Sequence, residues 1–211
     1  MSETSTQPDP WIDREYLSER FDSADLYQVE MQHCRFVECS FRGADLDEAT
    51  TDACFFDGCE FSGARLNGSF HRGTAFVNCR FDLANLTQTR FESCKMTGSA
   101  FDKARMLNTT LIGGDWSFVV LVGQDLRGRD LRGIRFSDAN LEECNLERAN
   151  FRDCDLTNVS LIRAKLRGAD FRGAKLDGVD LSLLNLRGAK LDIAHAVQLA
   201  RTLGATVEFD S

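Results

Sequence analysis

The residues best suited to chemistry in this 211-residue chain are eight cysteines, which could bind zinc or form disulfides. Every one of them lies a multiple of five residues from the others. Thiols at a fixed step of a repeating fold point the same way, which suits neither a disulfide nor a tetrahedral metal site. We therefore expect eight free thiols packed inside the fold: Cys34, Cys39, Cys54, Cys59, Cys79, Cys94, Cys144 and Cys154.

The histidines and carboxylates are not arranged for catalysis either. His33, His71 and His195 have no Ser or Cys nucleophile placed for a proton relay. The glycine pair 113–114 lacks the following Lys-Ser or Lys-Thr of a P-loop. The carboxylates are spread at repeat spacing over a surface expected to be convex, where no cleft excludes water. The sequence therefore predicts a protein that is not an enzyme and uses no metal and no cofactor.

All these residues belong to a repeat of five residues. Every fifth residue from Phe21 to Leu191, which we call the central residue, is apolar at 33 of 35 positions. A small residue, including every cysteine, stands two places before it, and 14 of the 16 glycines stand two places after it. A period of five fits neither a helix nor a strand. It indicates a chain that bends once per pentapeptide.

A glycine-like corner in every pentapeptide predicts a square coil. Gly and Asn tolerate the positive φ that such a corner requires. Four corners close a turn of about 20 residues, and successive turns would stack at strand spacing, ~4.8 Å. Leu and Phe then fill the lumen. The sequence predicts an all-β, quadrilateral β-helix over residues 21–191, with about nine coils.

Residues that lie 20 apart should form columns in such a coil. Thr51 and His71, the two polar central residues, share one column and are expected to satisfy each other or the backbone. Trp116 follows Gly114, a glycine at a small-residue position, so the large ring and the missing side chain should compensate. Another column should hold a stack of aromatic rings: Phe21, Phe41, Phe61, Phe81 and Phe101.

Residues 1–20 read as a polar leader before the coil. They contain no apolar run for a signal peptide or membrane anchor, so we expect a cytoplasmic protein without a membrane partner. Within the leader, WIDREYLSER could form a short helix that caps the open first coil with Trp11, Tyr16 and Leu17.

Residues 192–211 have the signature of a short C-terminal α-helix. Asp192 is a plausible N-cap and Gly204 a C-cap signal, and residues 205–209 then alternate like a short strand. The apolar stripe of this helix either caps the last coil or, as we favour, joins two copies into a homodimer. The stripe consists of Ile193, Ala196, Val197, Ala200 and Leu203.

Two irregularities remain inside the repeat. Gln124 and Arg129 stand at small-residue positions, so either the corner turns outward there or Arg129 pairs with an acid such as Asp130. The second is an outward apolar cluster, which reflects either a local distortion near Trp116 or a patch for a partner. Its members are Leu107, Ile112, Phe118, Val120 and Val122.

The net charge of −8 argues against direct binding to nucleic acid. When the charges of residues 21–191 are assigned to the four faces of the coil, two adjacent faces together carry a net charge of −5. The other two faces together carry +2. This asymmetry is compatible with an ordinary solvated surface or with a docking face for a basic partner.

The pentapeptides ADLDE, CRFVE, ANLEE, CNLER and ADFRG resemble the pentapeptide-repeat family, whose consensus is A(D/N)LXX. This resemblance implies a right-handed quadrilateral β-helix. The stretches HRGTAFVNCRF, LVGQDLRGRDLRG and LDIAHAVQLARTLG are also similar to the quinolone-resistance group that includes MfpA of mycobacteria and the Qnr proteins. The narrower resemblance implies a dimeric rod that binds DNA gyrase by imitating duplex DNA, with a tail that serves dimerisation.

If gyrase is the partner, two rows of carboxylates are the candidates to face it. They could approximate the phosphates of a duplex, inhibiting the enzyme, protecting it from fluoroquinolones, or both. The alternative is a structural or scaffolding rod that docks another cytosolic protein through the apolar cluster. One row is Asp22, Asp82, Asp102, Glu142 and Glu143; the other is Asp57, Asp115, Asp138, Asp155 and Asp177.

Overall fold

A computed structural model describes residues 9–208 of the chain. The chain falls into two compact units, Met1–Gly114 and Asp115–Ser211. Each unit is a parallel β-solenoid in which residues 20 apart are paired, and the second also carries a short C-terminal helix. The predicted right-handed quadrilateral β-helix is confirmed.

The first unit contains two parallel sheets of very short strands. One sheet has six strands in the order β1-β3-β5-β7-β9-β10, and the other has four in the order β2-β4-β6-β8. Each strand pairs with the one 20 residues later, as Phe36 does with Phe56. The strands are β1 Trp11–Ile12, β2 Glu15–Leu17, β3 Glu30–Gln32, β4 Arg35–Val37, β5 Thr50–Asp52, β6 Phe55–Asp57, β7 Phe70–Arg72, β8 Ala75–Val77, β9 Arg90–Glu92 and β10 Thr110–Ile112.

Most of the remaining pentapeptides in both units pair through single parallel bridges, such as Arg20 with Ser40 and Asp125 with Asn145. Here the corner is a closed turn, because the N–H of the small residue donates to the carbonyl of the central residue. Ala24 N lies 3.1 Å from Phe21 O in this way. The turn occupies residues that would otherwise extend the strand.

The aromatic column predicted in the first unit is present. The rings of Phe21 and Phe41 are 4.9 Å apart and nearly parallel, and the same distance separates Phe81 from Phe101. This spacing falls in the favourable range for stacked rings. Stacking therefore reinforces the backbone pairing at each step of the column.

The predicted helix over residues 11–20 is wrong, because this segment forms β1, β2 and the bridge at Arg20. Trp11 and Tyr16 are central residues of the repeat: the Tyr16 ring stacks on Phe36 at 5.1 Å. Leu17 is exposed and caps nothing. The solenoid thus begins two pentapeptides earlier than predicted, and residues 1–8 of the leader lie outside the described residues.

The polar residue before the central residue forms the turn that follows it. The carboxylate of Asp125 accepts from Arg127 N at 3.1 Å, and the side chain of Asn140 accepts from Glu142 N at 3.0 Å. Such Asx turns need a short acceptor side chain, which explains why Asp or Asn fits this position. Several acids of the surface are therefore parts of the fold.

The helix of the second unit, α1, spans Ile193–Thr202. Asp192 caps it as predicted: its carboxylate accepts from His195 N at 3.1 Å, and Gly204 follows the helix with φ of +87°. The strand predicted over 205–209 is wrong for residues 205–208, which have no regular structure, while residue 209 lies outside the described residues.

The two irregular small-residue positions, Gln124 and Arg129, differ in burial. Gln124 is buried, whereas Arg129 is only partly buried. Burial lowers the pKa of Arg129, and the nearby charge of Asp125 opposes this shift. The Asp130 carboxylate pairs with Arg132 at 2.7 Å.

The two polar central residues do satisfy each other. Thr51 Oγ1 lies 2.9 Å from His71 Nδ1, and Ser69 Oγ lies 3.0 Å from His71 Nε2. Because the Ser69 hydroxyl donates to Leu66 O at 2.7 Å, Ser69 must accept from the imidazole, and the proton resides on Nε2. Complete burial lowers the pKa of His71 to about 3.

The corners give a first prediction. Leu83 is exposed and holds φ of +59°, a conformation that disfavours a side chain. Leu83→Gly should raise the free energy of unfolding by about 0.5–1 kcal/mol, measured by urea denaturation. Leu107→Gly is the matched control, since Leu107 is equally exposed without positive φ and should lose stability. A loss of stability in both variants would contradict the prediction.

His71 gives a second prediction. Its folded pKa lies below the unfolded value, so its stabilising effect is present above pH ~6.5 and is lost as pH falls toward ~3. Lowering pH from 7 to 5 should therefore remove about 2 kcal/mol of unfolding free energy. His71→Gln, which keeps a donor and an acceptor but does not titrate, should lack this loss. Identical pH profiles for the two proteins would refute the assignment.

Candidate functional site

The candidate acids of the first unit differ greatly in exposure. Asp82, one of the candidate carboxylates, has a side chain that is only 16% exposed: it pairs with Arg80 at 2.5 Å and accepts from Asp102 N at 3.3 Å. Asp22 is held in the same way by Arg20, Ser40 and the backbone, and hydrogen bonding by Ser40 lowers its pKa. Asp102, in contrast, is 66% exposed.

Asp57 completes the candidates of the first unit. It lies partly exposed on β6, paired in register with Val37 and Val77 of the neighbouring strands. The first unit therefore offers Asp102 as its most accessible candidate carboxylate, with Asp57 less accessible.

In the second unit, several candidate acids also serve the fold. Asp115 and Asp155 close turns with Ser117 and Thr157, and the hydrogen bond from Thr157 lowers the pKa of Asp155. Glu142 accepts from Ser160 Oγ at 2.9 Å.

The other three acids of the second unit are exposed. Glu143 pairs with Arg163 at 2.6 Å, and Asp138 accepts from Asn158 at 3.1 Å. Asp177 accepts from Asn158 N through its backbone carbonyl, but no hydrogen bond or ion pair holds its carboxylate in the described part of the chain, so this carboxylate is the least committed of the set.

Arginines placed between the acids are the feature that the sequence reasoning missed. In Arg20–Asp22 and Arg80–Asp82 the two residues flank one central residue, so both side chains lie on the same face. The signal was an Arg and an acid two residues apart around a central residue. These pairs reduce the local negative charge, so the surface is less acidic than a count of carboxylates suggests.

The apolar cluster is exposed at every position. Leu107 and Ile112 lie on the surface of the first unit, and Phe118, Val120 and Val122 on that of the second. Phe118 is 56% exposed and has φ of +59°, an unfavourable backbone conformation for a bulky residue.

The apolar stripe of α1 is also largely exposed to solvent. Ile193, Ala196 and Leu203 are exposed, while Val197 and Ala200 are partly covered. The helix is attached by its polar face instead: His195 Nε2 donates to Ala174 O at 2.8 Å, and Gln198 Nε2 donates to Leu176 O at 3.0 Å. Capping of the coil therefore does not require the stripe.

The cysteines behave as core residues. All eight are free and buried, and their thiols donate to backbone carbonyls, as Cys59 does to Phe36 O at 3.5 Å. Burial raises the pKa of Cys54 and Cys94 to about 12, so neither is a reactive thiolate. Within residues 9–208 no group of His, Cys, Asp and Glu could hold a metal ion.

Between residues 9 and 208, α1 is too short and too polar to cross a bilayer, and no other helix could do so.

Comparison with solved structures gives matches along nearly the whole chain. A trypsin-treated variant of QnrB1, a plasmid-mediated fluoroquinolone resistance protein, is 23% identical and superimposes with a TM-score of 0.62, covering 95% of this chain and 100% of that one. Full-length QnrB1 is 22% identical with a TM-score of 0.62, covering 93% and 100%. At this level of identity the likeness concerns the fold.

Sequence comparison gives the family. No curated protein sequence matches the chain. A family model described as pentapeptide repeats in nine copies matches residues 56–100. A second, with eight copies, matches residues 20–59, 121–158 and 154–192, which is more than half of the 211 residues. Together with the five-residue repeat and the paired coils, these matches establish that the chain belongs to the pentapeptide-repeat family.

Proposed function

We propose that this protein imitates duplex DNA and binds DNA gyrase, inhibiting it, protecting it from fluoroquinolones, or both. The observation that carries the proposal is the match to QnrB1, which extends over 95% of this chain and all of that one. The protein then acts in the cytoplasm as a binding protein and has no catalytic step of its own.

The repeat supplies the physical basis for the mimicry. Equivalent residues of neighbouring coils in the first unit are about 4.9 Å apart, as the Phe21 and Phe41 rings are. Phosphates along one DNA strand are ~3.4 Å apart. Carboxylates on successive coils can therefore meet some of the Lys and Arg side chains that hold a DNA backbone. A net charge of −8 would accelerate such an encounter.

The ion pairs change which acids are expected to matter. Asp22, Asp82 and Glu143 are already paired with arginine, so a basic partner would have to displace an internal cation. Asp177 is exposed with no ion pair among residues 9–208, and Asp102 is exposed with only a long contact, 3.9 Å, to the exposed Lys103. These two carboxylates are therefore the better candidates for contact with gyrase.

A scaffolding role is the second candidate, and Phe118 favours it. A bulky aromatic side chain that is exposed and held at positive φ is unfavourable for the fold alone. Binding of an apolar partner surface would give this residue a use. Such binding depends on buried apolar area, so it would respond little to salt.

Gyrase binding is the third prediction. The protein should alter supercoiling by gyrase in the presence or absence of a fluoroquinolone, and its affinity for gyrase should fall as salt rises. Asp102→Lys with Asp177→Lys should weaken binding at least tenfold. Glu48→Lys with Asp153→Lys changes the net charge equally on the other two faces and is the matched control.

Each contrary result has a distinct meaning. Equal weakening by both double variants would show that only net charge matters, which would contradict the choice of face. Binding that persists unchanged at high salt would count against mimicry and favour the scaffold. No effect on gyrase at any protein concentration would refute the proposed function.

The helix stripe gives the fourth prediction, that the protein is a homodimer through α1. Leu203 is 70% exposed, so Leu203→Asp should yield a folded monomer in light scattering, because dimerisation would bury the new charge. Leu83→Asp places the same charge at an exposed leucine away from the stripe and should remain dimeric. A native protein that is monomeric at micromolar concentration would refute the dimer.

A further inference from the structure

One face of the second unit has a backbone edge that the next coil does not cover. In the preceding coils, Leu141 N donates to Ser160 O and Leu146 N donates to Lys165 O, each at 2.9 Å. The equivalent donors one coil later find no acceptor within the described residues, and the carbonyl of Ala164 finds no donor there. The open N–H groups are those of Leu161, Arg163 and Leu166.

The coil is interrupted at Leu184. Leu184 stands at a small-residue position, where the two preceding coils have Ala164 and Cys144. The chain leaves the coil there and forms a 3-10 turn over Leu181–Leu183. Ile134 has the volume of a leucine and yet stays buried within a regular coil. We therefore attribute the departure to the shape of the Leu184 side chain, which branches one carbon further from the backbone. Leu184 N still donates to Leu181 O as at other corners, but pairing with the preceding coil resumes only at Lys190.

The space between this edge and the displaced segment is a groove with a distinct chemistry. Ile162, Leu183 and Leu184 supply apolar lining. Four cations also line it, against a single acid, Glu147. Arg163 is paired with Glu143, whereas the other three cations have no ion pair within residues 9–208: Lys165, Arg167 and Arg187.

We propose that this groove binds an extended segment of alternating acidic and apolar residues from another polypeptide, which adds to the open edge as a parallel β-strand. The free N–H groups and the carbonyl of the edge are the partners that an added strand uses. Alternate side chains of a strand point to opposite sides, so apolar residues can meet the lining while acids meet the cations. The unpaired cations select an acidic peptide in a protein that is otherwise acidic.

The fifth prediction tests the charge preference with a fluorescent, end-blocked peptide of three Glu-Val repeats. The peptide should bind saturably, and its Lys-Val counterpart should not. Arg167→Glu with Arg187→Glu should weaken binding at least tenfold. Arg152→Glu with Arg201→Glu makes the same charge change outside the groove and should leave the affinity unchanged. Equal effects of the two double variants, or equal binding of the two peptides, would overturn the proposal.

Backbone pairing has its own readout. Amide hydrogen exchange at Leu161, Arg163 and Leu166 should slow when the peptide is saturating. N-methylation of one alternate set of peptide residues should abolish binding, and methylation of the other set should not, because only one set faces the edge. If neither set matters, the peptide is held by charge alone and the added strand is wrong.

Leu184→Ala tests the origin of the groove. With a small residue restored, the coil should close over the edge, so that exchange at 161–168 slows without peptide and affinity drops at least tenfold. Unchanged exchange and affinity would contradict the steric account. If exchange at 161–168 is already slow in the native protein and rises on deletion of 205–211, the chain's own tail occupies the groove and the proposal is wrong.

Discussion

Every coil of this protein depends on the backbone N–H groups of one turn finding carbonyls on the next. A single pentapeptide cannot bury an apolar side chain or pair its own polar groups, so neighbouring turns supply both. Pairs such as Phe36 with Phe56 therefore fix the alignment of the central residues, the small residues and the corners together. A repeat that slipped by one residue would turn each central side chain outward, which explains why the phase of the sequence is so strict.

This dependence restricts what the surface can offer a partner. The acid before a central residue closes a turn, and an arginine beside it often pairs with it, as in Asp125 and Arg127. Acids used in this way contribute to the local fold and present less free charge. A surface that must hold a coil together and also imitate a polyanion therefore has few carboxylates left for the second task. Asp177 is one, and Asp102, with only a 3.9 Å contact to Lys103, is another.

Much of the fold could be predicted because the period itself is structural. The ring column from Phe21 to Phe101 and the contact of Thr51 with His71 follow directly from a step of 20 residues. The Asp192 cap could also be predicted, since it depends only on local sequence.

The failures have different physical causes. Trp11 and Tyr16 stand in phase with Phe21, but their polar neighbours suggested a helix, and only stacking on the next coil overrides that preference. The exposure of Asp82 depends on the conformation of the Arg80 side chain that pairs with it. Counting the charged residues on each face does not give that conformation. The interruption at Leu184 was not predicted, because a large residue at a small-residue position can also stay in the coil, as Ile134 does.

The attachment of α1 determines where the ladder of hydrogen bonds stops. In earlier coils, carbonyls such as Cys154 O accept a backbone N–H from the turn above; at Ala174 the acceptor is used by an imidazole, and at Val179 by the amide of Gln198. A parallel ladder that ends in backbone groups is a template for further strands, including those of other molecules. The side chains of His195 and Gln198 occupy these carbonyl acceptors, so another coil cannot pair with this part of the terminal coil. This opposes head-to-tail growth into filaments.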